Sequence, residues 1–91
     1  MEQTKTEAIA VFEIALARLE TSAREPDAWT EHNLLEALAW ITSGQYDSAI
    51  TRIEAAARSP SPAEVSSIER RELLKKADIR DRFEDLRSGR N

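Results

Sequence analysis

Apolar residues recur along this chain at spacings of three and four residues, which is the period of an amphipathic α-helix. In the first segment the apolar positions are Ile9, Phe12, Leu16 and Leu19. Thr4 and Glu7 precede them as a capping box, in which each side chain can bond to the other residue's backbone amide. The pattern therefore predicts a helix over 5–23, ending before Pro26.

Two further segments with the same period lie on either side of Gly44. The first predicts a helix over 28–43, with an apolar face formed by Leu34, Ala37, Leu38 and Ile41. The second predicts a helix over 46–58, with an apolar face formed by Ala49, Ile50, Ile53, Ala56 and Ala57. Gly44 stands where the end of a helix requires a left-handed backbone. The two segments are therefore expected to form a helical hairpin.

The last segment opens with the strongest helix start in the chain. Ser61 is placed as N-cap, Pro62 at the first helical position and Glu64 at the third. This start predicts a helix over 62–76. Beyond it two alternatives are open: the helix continues to 87, or it breaks near Asp78, which would cap a fifth helix.

The composition favours one small helical domain. The chain has 91 residues, of which 33% are charged and only 2 are Gly and 3 Pro, a mixture that suits helices rather than strands or disorder. We predict an all-α fold, a bundle of four helices, or five if the last one breaks, built around the hairpin. The single domain is expected over 1–88, with a frayed tail over 89–91.

Several classes of chemistry are excluded or made improbable by residue counts. The chain has no Cys and 1 His, so thiolate catalysis, disulfides and cysteine-ligated zinc are excluded. No phosphate-binding loop, nucleophile elbow or His-Glu-x-x-His motif occurs. We therefore expect no cofactor, no metal site and no enzymatic activity. Carboxylates near His32, such as Glu31 and Glu36, are expected on a solvated helix surface.

The chain carries no recognisable membrane or export signal. Its first ten residues lack a basic region followed by an apolar run. No stretch approaches the roughly 18 apolar residues that a membrane-spanning helix needs. A soluble, cytoplasmic protein without a membrane partner is the expectation.

Residues 30–60 resemble a single tetratricopeptide (TPR-like) repeat, a helix–turn–helix unit of about 34 residues. Gly44, Tyr46 and Ala49 follow the Gly-x-Tyr-x-x-Ala pattern of its turn, and Ala37 occupies a position that is usually small. The first half departs from the pattern, since Asn33 stands where Trp is usual. No second copy is evident, and a lone repeat cannot bury its own faces.

The resemblance implies one repeat-like hairpin with the first and last helices as caps. A generic helical bundle is the alternative, because any helical hairpin can use the same small residues and turn glycine. The resemblance also implies a protein-binding surface on the first helix of the hairpin. That surface would consist of Glu31, Leu34, Leu38, Ile41 and Thr42.

Two tryptophans on the same predicted helix have two interpretations. Trp29 and Trp40 are eleven residues apart and share a stripe with polar Asn33 and Glu36. Large aromatic residues in a small helical protein usually belong to the core, whereas tryptophan is also enriched at interface hot spots. The pattern leaves both interpretations open, so both residues are candidate contacts for a protein partner.

Charge is distributed unevenly along the chain. Residues 1–68 carry 5 basic and 11 acidic side chains, whereas residues 69–91 carry 8 basic and 6 acidic ones. In the last segment Arg71, Lys75 and Arg82 fall within a narrow arc of a helix, but acidic residues alternate with them. Such alternation is typical of a solvated helix, so nucleic-acid binding is not expected there.

These observations predict a small, non-catalytic protein–protein interaction or regulatory module that acts by burying helix faces. Self-association into a homo-oligomer is also expected, because the apolar stripes on the first and last helices exceed what one small core needs. The alternative is a nucleic-acid-associated regulator that uses the basic helix over 70–82, with electrostatic contacts that weaken as salt rises.

Overall fold

The structure, a computed structural model, describes residues 3–68 and 73–89. These residues form five helices and no strand, which confirms the predicted all-α fold. The helices are α1 Lys5–Thr21, α2 Ala28–Thr42, α3 Tyr46–Ala56, α4 Pro62–Ser66 and α5 Lys76–Ser88. The helices α2 and α3 pack most extensively against each other, and both α1 and α5 pack on this pair.

Local hydrogen bonds explain where the helices begin. The Thr4 hydroxyl accepts a hydrogen bond from the Glu7 amide at 3.1 Å, which is one of the two bonds of the predicted capping box, and the same hydroxyl donates to Glu7 Oε1 at 3.2 Å. The Asp27 carboxylate accepts a hydrogen bond from the Thr30 amide at 2.8 Å, and the Ser61 hydroxyl accepts one from the Glu64 amide at 3.2 Å. Each side chain satisfies an amide that has no partner within its helix.

The turn between α2 and α3 has the geometry of a Schellman motif. The Gly44 amide donates to the Ile41 carbonyl at 3.1 Å, and the Gln45 amide donates to the Trp40 carbonyl at 2.8 Å. Gly44 has a φ of +82°, the left-handed conformation predicted for it. The small residues Ala37 and Ala49 are fully buried in the hairpin, as close packing of the two helices requires.

Replacing Gly44 with alanine is expected to lower the free energy of unfolding by about 1 kcal/mol, because a Cβ atom disfavours positive φ. The site is sterically open, with nothing within 4 Å of the added carbon, so the loss reports backbone strain alone. Urea denaturation followed by circular dichroism measures it. Gly44→Asn is the matched control, since asparagine tolerates this conformation better. An equal loss in both variants would contradict the explanation.

The predicted helix over 62–76 is wrong, and so is its continuation to 87. The helix α4 ends at Ser66, residues 73–75 are not helical, and α5 begins at Lys76. Asp78 is not the N-cap, which is Lys75. Asp78 instead accepts a hydrogen bond from the Lys75 amide at 3.0 Å, three residues before it. The break gives α5 an orientation independent of α4.

The core lies where α1, α5 and the hairpin meet. Phe12 and Phe83 stack at its centre, with ring centroids 4.7 Å apart and an angle of 25° between the rings. The other buried core residues are Ala8, Leu16, Leu34, Ala37, Leu38, Ile41, Ala49, Ile53, Ile79 and Leu86. The apolar stripe of α5 is thus buried in this core. Val65 of α4, also on the predicted last helix, is 49% exposed, so self-association stays a prediction.

None of the helices in residues 3–68 and 73–89 has the length and apolar character to cross a membrane.

Candidate functional site

Most of the surface of α2 predicted to bind a partner is buried within the chain. Glu31, Leu34, Leu38 and Ile41 are all buried. Thr42 is exposed at the end of the helix, where its hydroxyl donates to the Leu38 carbonyl at 2.9 Å. Only Thr42 of the five predicted contacts is therefore exposed at the surface. The face that would bind a ligand in a repeat array here binds another part of the same chain.

The two tryptophans have different environments. Trp29 is 8% exposed, and its indole N–H donates to the Ala55 carbonyl at 2.8 Å, so it ties α2 to the end of α3. The Arg58 guanidinium lies 5.0 Å from the centre of its ring. Trp40 is half-buried and packs on the edge of the core. Trp29 is therefore a core residue, and neither ring projects as an isolated anchor.

Two polar residues of α2 are buried, which the sequence pattern did not predict. Glu31 is 2% exposed, and its Oε2 accepts a hydrogen bond from the Leu74 amide at 2.6 Å. Asn33 is fully buried, and its side-chain amide donates to the Trp29 carbonyl at 3.0 Å. Expecting Glu31 on a solvated surface was wrong. The available signal was its spacing of three residues from Leu34, which places it on the apolar face of α2.

The residues around His32 offer no catalytic or metal-binding arrangement. His32 Nε2 lies 4.0 Å from Glu36 Oε1, one helical turn away, and both side chains are more than a third exposed. Within the described ranges, no group of three or more His, Asp or Glu side chains converges as metal ligands would. The pair has the geometry of an ordinary surface contact within a helix.

Arg80 binds three carboxylates, two of which lie on α1 and link α5 to that helix. Its guanidinium contacts Glu20 at 2.9 Å, Glu13 at 2.8 Å and, within α5, Glu84 at 3.0 Å. Hydrogen bonding to Arg80 lowers the pKa of the Glu20 carboxyl, and the bonds to Glu20 and Glu13 raise the pKa of Arg80. A guanidinium that donates hydrogen bonds to several carboxylates holds the helices that carry them together. Arg80 thereby fixes α5 along one side of α1.

The structure describes two of the three basic residues predicted to form an electrostatic surface. Arg71 lies outside the described residues, and Lys75 and Arg82 are both exposed. Arg82 lines a small cavity that also includes acidic Asp85. Between Lys75 and Arg82, the Lys76 ammonium donates to the Ser22 carbonyl. With Arg80 also bound to carboxylates, much of the positive charge of α5 serves to attach it to the α1 side of the molecule.

A second ion pair fixes the start of α4 against the end of α3. Arg58 binds Glu64 through two parallel hydrogen bonds, at 3.1 and 2.8 Å. Glu64 also accepts a hydrogen bond from the Ser61 amide at 2.8 Å. The bonds from Arg58 and Ser61 lower the pKa of the Glu64 carboxyl from its ordinary value of 4.5 to about 2. Because both side chains are more than a third exposed, solvent weakens the pair's effect on stability.

We expect the Glu64 carboxyl to titrate near pH 2 rather than 4.5, which a carbon-detected NMR titration can measure. Because folding lowers the pKa of Glu64, its ionised carboxylate stabilises the folded protein above pH 4.5, and this stabilisation is lost as the pH falls towards 2. Arg58→Gln removes the guanidinium and should move the midpoint back towards 4.5. A midpoint near 4.5 in the unaltered protein would contradict the assignment.

An open, mainly apolar groove lies between α1 and the hairpin. Its volume is about 450 Å³. The lining residues are Val11, Ile14, Ala15, Arg18, Leu19, Thr30, Leu34, Ile53, Glu54, Ala56 and Ala57. Ile14, on the α1 side, is 57% exposed, the largest exposed fraction among the large apolar side chains of the described residues. Its position off the main stripe of the first helix was the sequence signal for this surface.

Comparisons with protein-family models, with curated proteins and with solved structures found no match for this chain. The resemblance of residues 30–60 to a tetratricopeptide repeat therefore stays a prediction.

Proposed function

We propose that this protein is a non-catalytic protein–protein interaction module whose groove beside α1, here called the α1 groove, binds an amphipathic helix. The observation that carries the proposal is the exposed Ile14 at the edge of a mainly apolar groove of about 450 Å³. Exposed apolar surface of this kind, bordered by charged residues, is characteristic of interaction sites. The lining is formed by helices, which present rigid walls to a ligand.

The shape and charge of the α1 groove favour a helix as its ligand. Arg18 and Glu54 stand among the apolar lining residues, one on α1 and the other on α3. A helix with an apolar stripe between an acidic and a basic edge would bury the stripe and match both charges. Recognition of this kind relies on apolar anchors spaced three or four residues apart.

Two alternative functions have less support from the contacts of the described residues. The polar contacts around His32 provide no convergent catalytic set. Nucleic-acid binding by α5 would have to compete with the carboxylates bound to Arg80. The α1 groove, by contrast, is an open and mainly apolar surface of about 450 Å³ formed by described residues.

Photo-crosslinking from the groove tests this function directly. A photoreactive amino acid replaces Ala57, an exposed lining residue, and a second version carries it at Ala77, an exposed residue of α5 outside the groove. We expect adducts from position 57 that map to an amphipathic helix and that disappear when Ile14→Glu is added. Equal adducts from both positions, or adducts that Ile14→Glu does not affect, would contradict groove binding.

A further inference from the structure

The outer face of α1 carries a charged residue, two apolar residues and a second charged residue. Their spacing is the same when the helix is read from either end. Glu7, Val11, Ile14 and Arg18 lie at steps of four, three and four residues, within an arc of about 60° on an ideal helix. We refer to them as the α1 stripe. Three of them, Val11, Ile14 and Arg18, also line the α1 groove.

The other sides of α1 are already occupied. Ala8, Phe12 and Leu16 face the core, and Glu13 and Glu20 are bound to Arg80 on α5. The α1 stripe is mostly on the remaining side, where Glu7, Ile14 and Arg18 are exposed and Val11 is half-buried. Within the described residues, neither Glu7 nor Arg18 takes part in an ion pair.

We propose that the helix bound in the α1 groove is α1 of a second copy of this chain, antiparallel to the first and related to it by a two-fold axis. With the axis between residues 12 and 13, Glu7 faces Arg18 of the second copy, and Val11 faces Ile14. Both pairs then occur twice, as they must in a two-fold interface. On the flanks of the stripe, Ala10 faces Ala15, so small side chains allow the helices to approach closely.

Charge complementarity favours an antiparallel second copy as the bound helix. The opposite charges of the α1 stripe are eleven residues apart, or about 16 Å along the helix. An antiparallel copy of α1 places an opposite charge beside each of them by symmetry. A parallel arrangement would instead place Glu7 beside Glu7 and Arg18 beside Arg18. This inference rests on the proposed function, since it identifies the helix that the groove binds.

Charge reversal tests whether residue 7 of one copy lies beside residue 18 of the other. Glu7→Lys places two positive charges together at both ends of the interface, and Arg18→Glu places two negative charges together. Each single variant should self-associate about tenfold or more weakly than the unaltered protein, because two ion pairs become repulsive. Mixing the two variants should restore association, because lysine at 7 then meets glutamate at 18 and arginine at 18 meets glutamate at 7.

Sedimentation equilibrium over a range of protein concentrations measures these dissociation constants. Ile14→Glu should abolish dimers, whereas Val65→Glu, which alters another exposed apolar residue on α4, should leave them intact. Because Glu7 belongs to the cap of α1, circular dichroism verifies that each variant is folded. Restored association in the mixture would also demonstrate that both variants retain the interface.

A monomeric unaltered protein at all concentrations would overturn the inference, as would dimers that Ile14→Glu leaves unchanged. Failure of the two charge variants to associate with each other would overturn the antiparallel pairing. Adducts from position 57 to a different protein, together with a monomeric unaltered protein, would reject the second copy but support groove binding. Absence of Ile14-dependent adducts of any kind would reject the proposed function itself.

Discussion

Replacing Phe83 with alanine is expected to lower the free energy of unfolding by about 3–5 kcal/mol, because the change leaves a large cavity in the core. Phe83 is fully buried and stacks on Phe12 with ring centroids 4.7 Å apart. The contact joins the last helix to the first. A loss of this size would remove much of the total stability of a small domain, which is typically about 5–15 kcal/mol.

Urea denaturation monitored by circular dichroism measures this loss. Val65→Ala is the matched control, because Val65 is 49% exposed and its truncation creates no cavity; we expect a change within about 0.5 kcal/mol. If Phe83→Ala does not fold, Phe83→Leu retains apolar volume and should give a smaller loss that can be measured. A loss under about 1 kcal/mol for Phe83→Ala would contradict the packing described for α1 and α5.

Replacing Glu31 with alanine is expected to lower the free energy of unfolding by about 2–3 kcal/mol, because the partly buried Leu74 amide loses its acceptor and the truncated side chain leaves a void. Glu31 Oε2 accepts a hydrogen bond from the Leu74 amide at 2.6 Å. This bond connects α2 to the segment that leads into α5. Loss of the carboxylate should therefore also increase solvent exchange of the Leu74 amide hydrogen.

Hydrogen exchange followed by NMR and urea denaturation together test this role. Glu36→Ala, on the same helix but more than a third exposed, should leave the exchange of Leu74 unchanged and cost less than about 0.5 kcal/mol. Glu31→Gln retains an oxygen acceptor of similar shape and should protect Leu74 in part. Unchanged exchange of Leu74 in Glu31→Ala would contradict the assigned contact.

The predictable parts of the fold depend on residues close together in the chain. Thr4 and Gly44 specify a helix start and a helix end through hydrogen bonds that span only a few residues. The burial of Glu31 could not be predicted in this way, since its partner Leu74 is 43 residues away. The sequence left open whether the last helix breaks near Asp78, because the caps at Ser61 and at Asp78 are each compatible with local sequence. It did not predict that α4 ends as early as Ser66.

The candidate site shows the same limit. Apolar spacing identified the face of α2 formed by Leu34, Leu38 and Ile41, but it could not indicate that other helices of the same chain would bury that face. Ile14 lies off the main stripe of α1, and periodicity alone assigns such a residue no partner. Only the tertiary structure shows that Ile14 lines the α1 groove. Which surface is left open is therefore a property of the tertiary structure.

The long-range bonds of Arg80 have a consequence for the order of folding. Its contact with Glu13 spans 67 residues, so the chain must lose much conformational freedom before that bond can form. The α2–α3 hairpin closes over a three-residue connection and requires no such search. Because local contacts form rapidly and distant ones slowly, we expect the hairpin to form first and the two ends of the chain to pack on it afterwards. We therefore expect the Arg80 ion pairs to form late in folding and to break early in unfolding.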